Sequence, residues 1–83
     1  NPQAKIHILA IPKMPVTDYN DYISKADNEM IKYFFSKINE VAKDHDLIDS
    51  GFRLVTNNGK DANQEVPHFH IHILGGENLK GIK

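Results

Sequence analysis

The feature that most constrains this chain is an alternation of histidine and apolar residues between Pro67 and a pair of glycines. The alternating positions are His68, Phe69, His70, Ile71, His72 and Ile73. Strict alternation is the period of a β-strand, so the imidazoles are predicted to project from one face and the apolar side chains from the other. Neighbouring rings on that face stand roughly 6.5–7 Å apart. Pro67 suits the start of the strand, because a missing N–H is tolerated there.

Four interpretations of this histidine row compete. Imidazole titrates near neutral pH, so it serves as nucleophile, base, acid or metal ligand. A solvent-facing strand is the simplest interpretation, but three histidines in register disfavour it. A purification tag is disfavoured because tags are consecutive histidines at a terminus. A metal site is a serious alternative, although three rings on a flat strand converge poorly on a tetrahedral centre. In the fourth interpretation the central ring attacks a substrate, while its neighbours orient it and hold charge.

The histidine row resembles the signature of the histidine triad (HIT) family, in which three histidines alternate with apolar residues and two apolar residues end the motif. Residues 68–74 fit this signature at every position. The glycine pair that follows is similar to the Hint-like branch of nucleoside phosphoramidate hydrolases. The resemblance extends to residues 51–59, a strand ending in Asn-x-Gly, to residues 64–66 and to residues 7–13. It therefore covers most of the chain.

The other patterns predict an α+β fold, with an antiparallel sheet and one main helix packed on one of its faces. Residues 5–11 and 52–56 have strand periodicity, and both faces of the first segment are largely apolar, which is typical of a central strand. Asp27 is a candidate N-cap for a helix of roughly sixteen residues with apolar side chains at helical spacing. We expect this helix to cover the Phe69 side of the histidine strand, and residues 13–21 to form a loop.

Two further histidines lie outside the row. His7 sits among apolar residues of the first strand, where we favour a hydrogen-bonded structural histidine over a catalytic one. His45 falls at the end of the predicted helix, where a protonated imidazole would suit the helix dipole. Neither is assigned to the site.

Residues 1–83 are enough for one small domain. In the HIT family a hairpin that contacts the ribose precedes the strand that here begins near residue 5. The resemblance therefore implies a single HIT-like domain that is truncated at its N-terminus and lacks this hairpin. The family also pairs two sheets across a twofold axis, and so small a core is often helped by a partner, so we expect a homodimer.

Composition excludes several classes of function. The chain has no cysteine, which rules out a disulfide framework and a cysteine-bound metal. Its formal net charge is −1, with Lys and Arg spread along the sequence, so no nucleic-acid partner is indicated. No apolar run is long enough to predict a membrane span. We expect a cytoplasmic protein that needs no metal or other cofactor.

The resemblance implies a role for each histidine of the row. His70 is the nucleophile that attacks the α-phosphorus, while a backbone carbonyl holds the protonated far nitrogen of its ring. His72 is placed to hydrogen-bond a phosphate oxygen or the leaving group, and His68 is an orienting residue. The substrate would be a purine nucleoside monophosphate, AMP-like, joined to an amine or to a phosphate-linked leaving group.

The same resemblance assigns substrate-binding residues to the polar loop after the second strand. Asn57 is expected on the phosphate or leaving-group side, and the backbone around Asn63 and Gln64 is expected to supply N–H donors. Two positions depart from the family: Asn63 replaces a common Gly, and Glu65 replaces a Ser found in several members. Glu65 is expected either to assist the leaving amine as an acid or to face solvent.

Two other classes of function stay open. The same pocket could bind AMP-like nucleotides without turnover, as in a scaffold protein, or the histidines could ligate a metal. A phosphoramidate assay separates the first possibility from an enzyme, and metal analysis of chelator-treated protein addresses the second.

Overall fold

A three-stranded antiparallel sheet lies at the centre of the computed structural model, which describes residues 4–81. Its strands are β1 (Ile6–Ala10), β2 (Phe52–Val55) and β3 (Ile71–Gly75), in the order β1-β3-β2. The other elements of this range are helices α1 (Tyr19–Lys25) and α2 (Asn28–Asp44) and a short 3-10 turn, Lys60–Ala62. This architecture confirms the predicted α+β class, with an antiparallel sheet and one main helix.

The strand that carries the last histidine of the row, β3, is the middle strand of the sheet. Directly opposite residues of paired strands share a face, so His72 lies on one face with Leu9 and Val55. Ile73 belongs to the other face. Within residues 4–81, β1 pairs with β3 alone. The prediction that β1 is a central strand was therefore wrong for the described range.

Helix α2 covers the Ile73 face of the sheet, as predicted. Asp27 is its N-cap, and the carboxylate accepts a hydrogen bond from the Met30 N–H at 2.8 Å. Ile38 and Ala42 of the helix are buried in one cluster with the apolar residues of the histidine run. Full burial of a large apolar side chain contributes about 1.5–3 kcal/mol, so this contact between helix and sheet is a large part of the fold's stability.

Helix α1 begins within the stretch 13–21 that was predicted to be a loop, and that prediction was wrong for residues 19–21. Asp18 is its N-cap, accepting a hydrogen bond from the Asp21 N–H at 2.8 Å. Tyr22 is buried and stacks on Phe69, with ring centroids 5.0 Å apart. The polar residues that suggested a loop thus cap a short helix, which is held by a contact with the histidine run.

Strand β3 begins at Ile71, although the alternation predicted a strand from the preceding proline. The N–H of His68 donates to the Val66 carbonyl at 2.8 Å, which closes a tight turn. The N–H of Phe69 donates to the Val16 carbonyl at 2.9 Å, in the connection between β1 and α1. The first two histidines of the row therefore precede the sheet, and the prediction that all three lie on a strand was wrong for them.

Neither helix of residues 4–81 combines the length and apolar character that a membrane crossing needs. The predicted N-terminal truncation concerns what would precede residue 1 and stays a prediction. Residues 1–3 and 82–83 lie outside the described range.

Candidate active site

The three histidines of the row are half-buried and lie around the start of β3. His72 is in the strand, while His70 and His68 precede it. The rings of His70 and His72 meet edge to face, with centroids 5.1 Å apart. The His68 ring instead contacts the backbone of the next residue, with Nδ1 at 3.0 Å from the Phe69 carbonyl oxygen. The structure therefore brings the side chains of the last two histidines together.

The ring of His70 is held by the backbone of His68. Nδ1 of His70 lies 2.8 Å from the carbonyl oxygen of His68. A carbonyl oxygen only accepts hydrogen bonds, so this contact places a proton on Nδ1. The neutral ring then carries its lone pair on Nε2. The sequence predicted a backbone carbonyl in this position, and the structure confirms that one is there.

The ring of His72 is held by another histidine. Nδ1 of His72 lies 2.7 Å from Nε2 of His7, and the two ring centroids are 4.9 Å apart. Burial lowers the pKa of His72, and the nearby His7 and His70 lower it further. His72 is therefore neutral at pH 7, and the ring-to-ring contact places a single proton between Nδ1 of His72 and Nε2 of His7.

His7 is the site residue that the sequence analysis missed. His7 was predicted to be a hydrogen-bonded structural histidine. The hydrogen bond is confirmed, and its partner is His72 of the histidine row. Register explains the contact: Leu9 lies opposite His72, and His7 is two residues away on the same strand face. The alternation predicted His7 and Leu9 on one face of β1, but no pattern in the sequence indicates that β1 pairs with β3.

The predicted substrate-binding residues lie between β2 and the histidine row. Asn57 is half-buried just beyond the end of β2, and Glu65 is exposed. Asn63 has φ of 56°, in the left-handed region that Gly and Asn adopt most readily, which accounts for an Asn where the family often has Gly. Its N–H donates to the Lys60 carbonyl at 3.0 Å, and the N–H of Gln64 donates to the Gly59 carbonyl at 3.1 Å. The loop itself thus uses both donors that were predicted to meet the substrate.

The side chain of Gln64 ties this loop to the rest of the site. Its Oε1 accepts a hydrogen bond from the Gly59 N–H at 2.9 Å. Its Nε2 donates to the Thr17 carbonyl at 2.7 Å and to the Val66 carbonyl at 3.1 Å. One amide therefore joins the loop, the connection before α1 and the turn that leads into the histidine row.

The next feature is the set of side chains in the described part of the chain that could bind a metal ion. Within residues 4–81, no group of three or more His, Cys, Asp or Glu side chains is arranged to hold a metal ion. The two close histidine pairs are joined instead by ring packing and by a ring-to-ring hydrogen bond. The arrangement suits imidazole rings that contact one another, with Nδ1 of His70 held by a backbone carbonyl.

Comparison with known proteins places the chain among its relatives. The HIT domain family matches residues 1–79. An uncharacterized HIT-like protein of Rickettsia prowazekii is 48% identical over 81 residues, which are 98% of this chain and 68% of that protein. A 13.2 kDa HIT-like protein of Azospirillum brasilense is 44% identical over 79 residues, covering 95% of this chain and 65% of that protein. The chain thus spans about two thirds of the length of these curated relatives.

Solved structures agree with the sequence matches. A histidine triad protein from Clostridium difficile superposes with a TM-score of 0.85 at 38% identity, covering 100% of this chain and 71% of that one. A HIT family hydrolase from Legionella pneumophila superposes with a TM-score of 0.86 at 35% identity, covering 95% of this chain and 70% of that one. With the fold, the histidine row and these matches in agreement, the chain belongs to the histidine triad family.

Proposed function

We propose that this protein hydrolyses purine nucleotides by transferring a nucleoside monophosphate first to His70 and then to water. The observation that carries the proposal is the 2.8 Å contact between His70 Nδ1 and the His68 carbonyl. This contact leaves the Nε2 lone pair available to a substrate. The similarity to a HIT family hydrolase from Legionella pneumophila supports the reaction class.

In the first step, the Nε2 lone pair of His70 attacks the α-phosphorus in line with the leaving group. A P–Nε2 bond forms while the bond from phosphorus to the leaving amine or phosphate breaks. The electron pair of the broken bond departs with that group, and a leaving amine takes up one proton from solvent, which the water of the second step returns. The imidazole becomes a cationic nucleotidyl-histidine, and the His68 carbonyl stabilises its charge through the Nδ1 proton.

In the second step, water attacks the same phosphorus and the P–Nε2 bond breaks. The electron pair returns to the ring, and the attacking water loses a proton. The net reaction consumes one water and releases a nucleoside monophosphate and the leaving group. Two displacements at a fixed nucleophile replace one difficult displacement by free water, so most of the catalysis comes from positioning.

His72 is proposed to donate a hydrogen bond to a phosphate oxygen or to the leaving group. A neutral ring has one N–H, and the 2.7 Å contact with His7 holds one proton between the two rings. His72 can donate to the substrate from Nε2 only if His7 supplies that shared proton. His7 is therefore proposed as a positioning residue that selects the tautomer of His72.

The remaining site residues are proposed to orient the nucleophile and the substrate. His68 acts through its carbonyl, which holds the His70 ring. Asn57, Asn63, Gln64 and Glu65 are kept as substrate contacts. Because the loop uses the N–H groups of Asn63 and Gln64, a substrate would contact these residues through their side chains or displace the internal bonds. The exposure of Glu65 suits either of its expected roles.

The choice of substrate and the assembly follow the family resemblance. We propose the Hint-like specificity, with AMP-like phosphoramidates as substrates, and a cytoplasmic location. A homodimer is also proposed. It is supported by β2, an edge strand within residues 4–81, where Phe52 is 37% exposed and Leu54 is 41% exposed.

Hydrolysis of adenosine 5′-phosphoramidate by chelator-treated protein tests this function. We expect AMP and ammonia in equal amounts, at a rate that the chelator does not change. Binding of AMP without release of ammonia would instead identify a nucleotide-binding protein without turnover. Activity that disappears with the chelator and returns with a metal would support the metal hypothesis and contradict the proposed mechanism.

A further inference from the structure

We propose that Thr56 is a positioning residue for His70, an inference that rests on the proposed function. The hydroxyl of Thr56 donates to the backbone carbonyl of His70 at 2.7 Å. The pairing of β2 with β3 ends at Val55 and His72. Thr56 directly follows β2, and His70 lies two residues before His72. The side-chain bond therefore acts just where the regular pairing of these two strands stops.

The position of His70 makes such a bond useful. His70 precedes β3, so its backbone lies outside the segment whose direction the sheet fixes. Its ring is bound to the His68 carbonyl at Nδ1, and its own carbonyl is bound to Thr56 Oγ1. One bond holds the side chain of His70, and the other holds its backbone carbonyl. Together they fix the direction in which Nε2 points, and a nucleophile must be aligned closely with phosphorus to react.

The hydroxyl of Thr56 contributes little to packing. Thr56 is exposed, so replacing the hydroxyl by a methyl group leaves the buried cluster untouched. Valine keeps the branched shape that suits the end of a strand. We therefore expect Thr56→Val to fold normally and to lose the hydrogen bond alone. Thr56→Ser keeps the hydroxyl and serves as the conservative variant.

The chain offers a control for the loss of a hydroxyl at the other end of β2. The Ser50 hydroxyl lies 3.5 Å from the Asp46 carbonyl oxygen, and Ser50 is exposed and precedes β2, whereas Thr56 follows it. Ser50→Ala removes an exposed hydroxyl from the end of β2 that is far from His70. A general effect of losing an exposed hydroxyl would therefore appear in both variants.

The experiment combines steady-state hydrolysis of adenosine 5′-phosphoramidate with nitrogen NMR of ¹⁵N-labelled histidines. For Thr56→Val we expect kcat to fall about three- to tenfold with KM unchanged, because the lost bond aligns the nucleophile and does not bind substrate. The His70 nitrogen signals should move from a single Nδ1–H tautomer towards a mixture. Thr56→Ser and Ser50→Ala should keep the wild-type kcat and signals.

An unchanged kcat and unchanged His70 signals in Thr56→Val would overturn the inference. So would a loss of activity that Ser50→Ala reproduces. If the wild-type protein does not hydrolyse the substrate, the proposed function fails, but the NMR comparison still decides the role of Thr56. In that case a shift of the His70 signals in Thr56→Val alone supports the positioning role, and no shift refutes it.

Discussion

Residues 66–70 and residues 71–75 share the alternation of histidine and apolar side chains at positions 68–73, yet different bonds hold the two segments. Residues 71–75 form β3, which pairs with a strand on each side. Residues 66–70 are fixed by a tight turn, by the Val16 carbonyl and by the hydroxyl of Thr56. The segment before the strand contains His70, while the strand contains the most deeply buried residue of the run, Ile73.

The difference shows why a nucleophile suits the end of a strand. In the middle of a sheet, backbone N–H and C=O groups are used by the neighbouring strands. A carbonyl that holds an imidazole is more readily found just outside the ladder, where the His68 carbonyl lies. The two segments should therefore respond differently to mutation: loss of the His70 ring should reduce activity, and loss of the buried Ile73 side chain should reduce stability.

The largest effect is expected for His70→Ala. Loss of the nucleophile should lower turnover on the order of a thousandfold or more, while the midpoint of thermal unfolding stays close to that of the wild type. His45→Ala is the matched control, because His45 is exposed at the end of α2, where its Nδ1 lies 3.0 Å from the Val41 carbonyl oxygen. It should retain full turnover. Comparable activity in the two variants would contradict the role of His70.

The next effect is expected for Ile73→Ala in β3. Ile73 is fully buried, so its replacement should lower the free energy of unfolding by about 2–5 kcal/mol, through lost burial and the cavity that remains. Ile48→Ala is the control, since Ile48 is 48% exposed. Chemical denaturation measures both variants. Equal losses of stability would contradict the expectation that the buried side chain of Ile73 in β3 stabilises the fold.

A smaller effect is expected from the titration of His72. Burial and its neighbours lower its pKa in the folded protein, so the unfolded chain binds more protons between that pKa and the ordinary value near 6.5. The stability that His72 contributes is present above pH 6.5 and is lost as the pH falls through the lowered pKa. His72→Gln should therefore flatten the fall in stability on acidification, measured by denaturation at several pH values. An unchanged slope in His72→Gln would contradict the assignment.

The elements that depend on neighbouring residues could be predicted from the sequence. Asp27 and the apolar spacing after it predicted α2, and the second strand was predicted at residues 52–56 and lies at Phe52–Val55. The histidine spacing made the central ring one candidate nucleophile, and the family resemblance assigned this role to His70, with a carbonyl at its protonated nitrogen. In each case the physical cause lies within a few residues of the pattern that reveals it.

The features that depend on distant contacts could not be predicted. The start of β3 is set by its partners: β1 pairs no further than Ala10, and Pro12 beyond it has no N–H to offer a ladder. The contact of His7 with His72 depends on the pairing of β1 with β3. Helix α1 depends on the stacking of Tyr22 against the histidine run. None of these contacts can be read from the spacing of apolar and polar residues along the sequence.

The nucleophilic role of His70 can be tested most directly by trapping its covalent intermediate. The wild-type protein would be mixed with adenosine 5′-phosphoramidate, quenched within seconds at alkaline pH and digested, and the peptides fragmented in a mass spectrometer. We predict the added mass of one adenylyl group on His70, and none on the corresponding peptide of His70→Ala. An adenylyl group on His68, on His72 or on any residue outside the row would contradict the proposed chemistry.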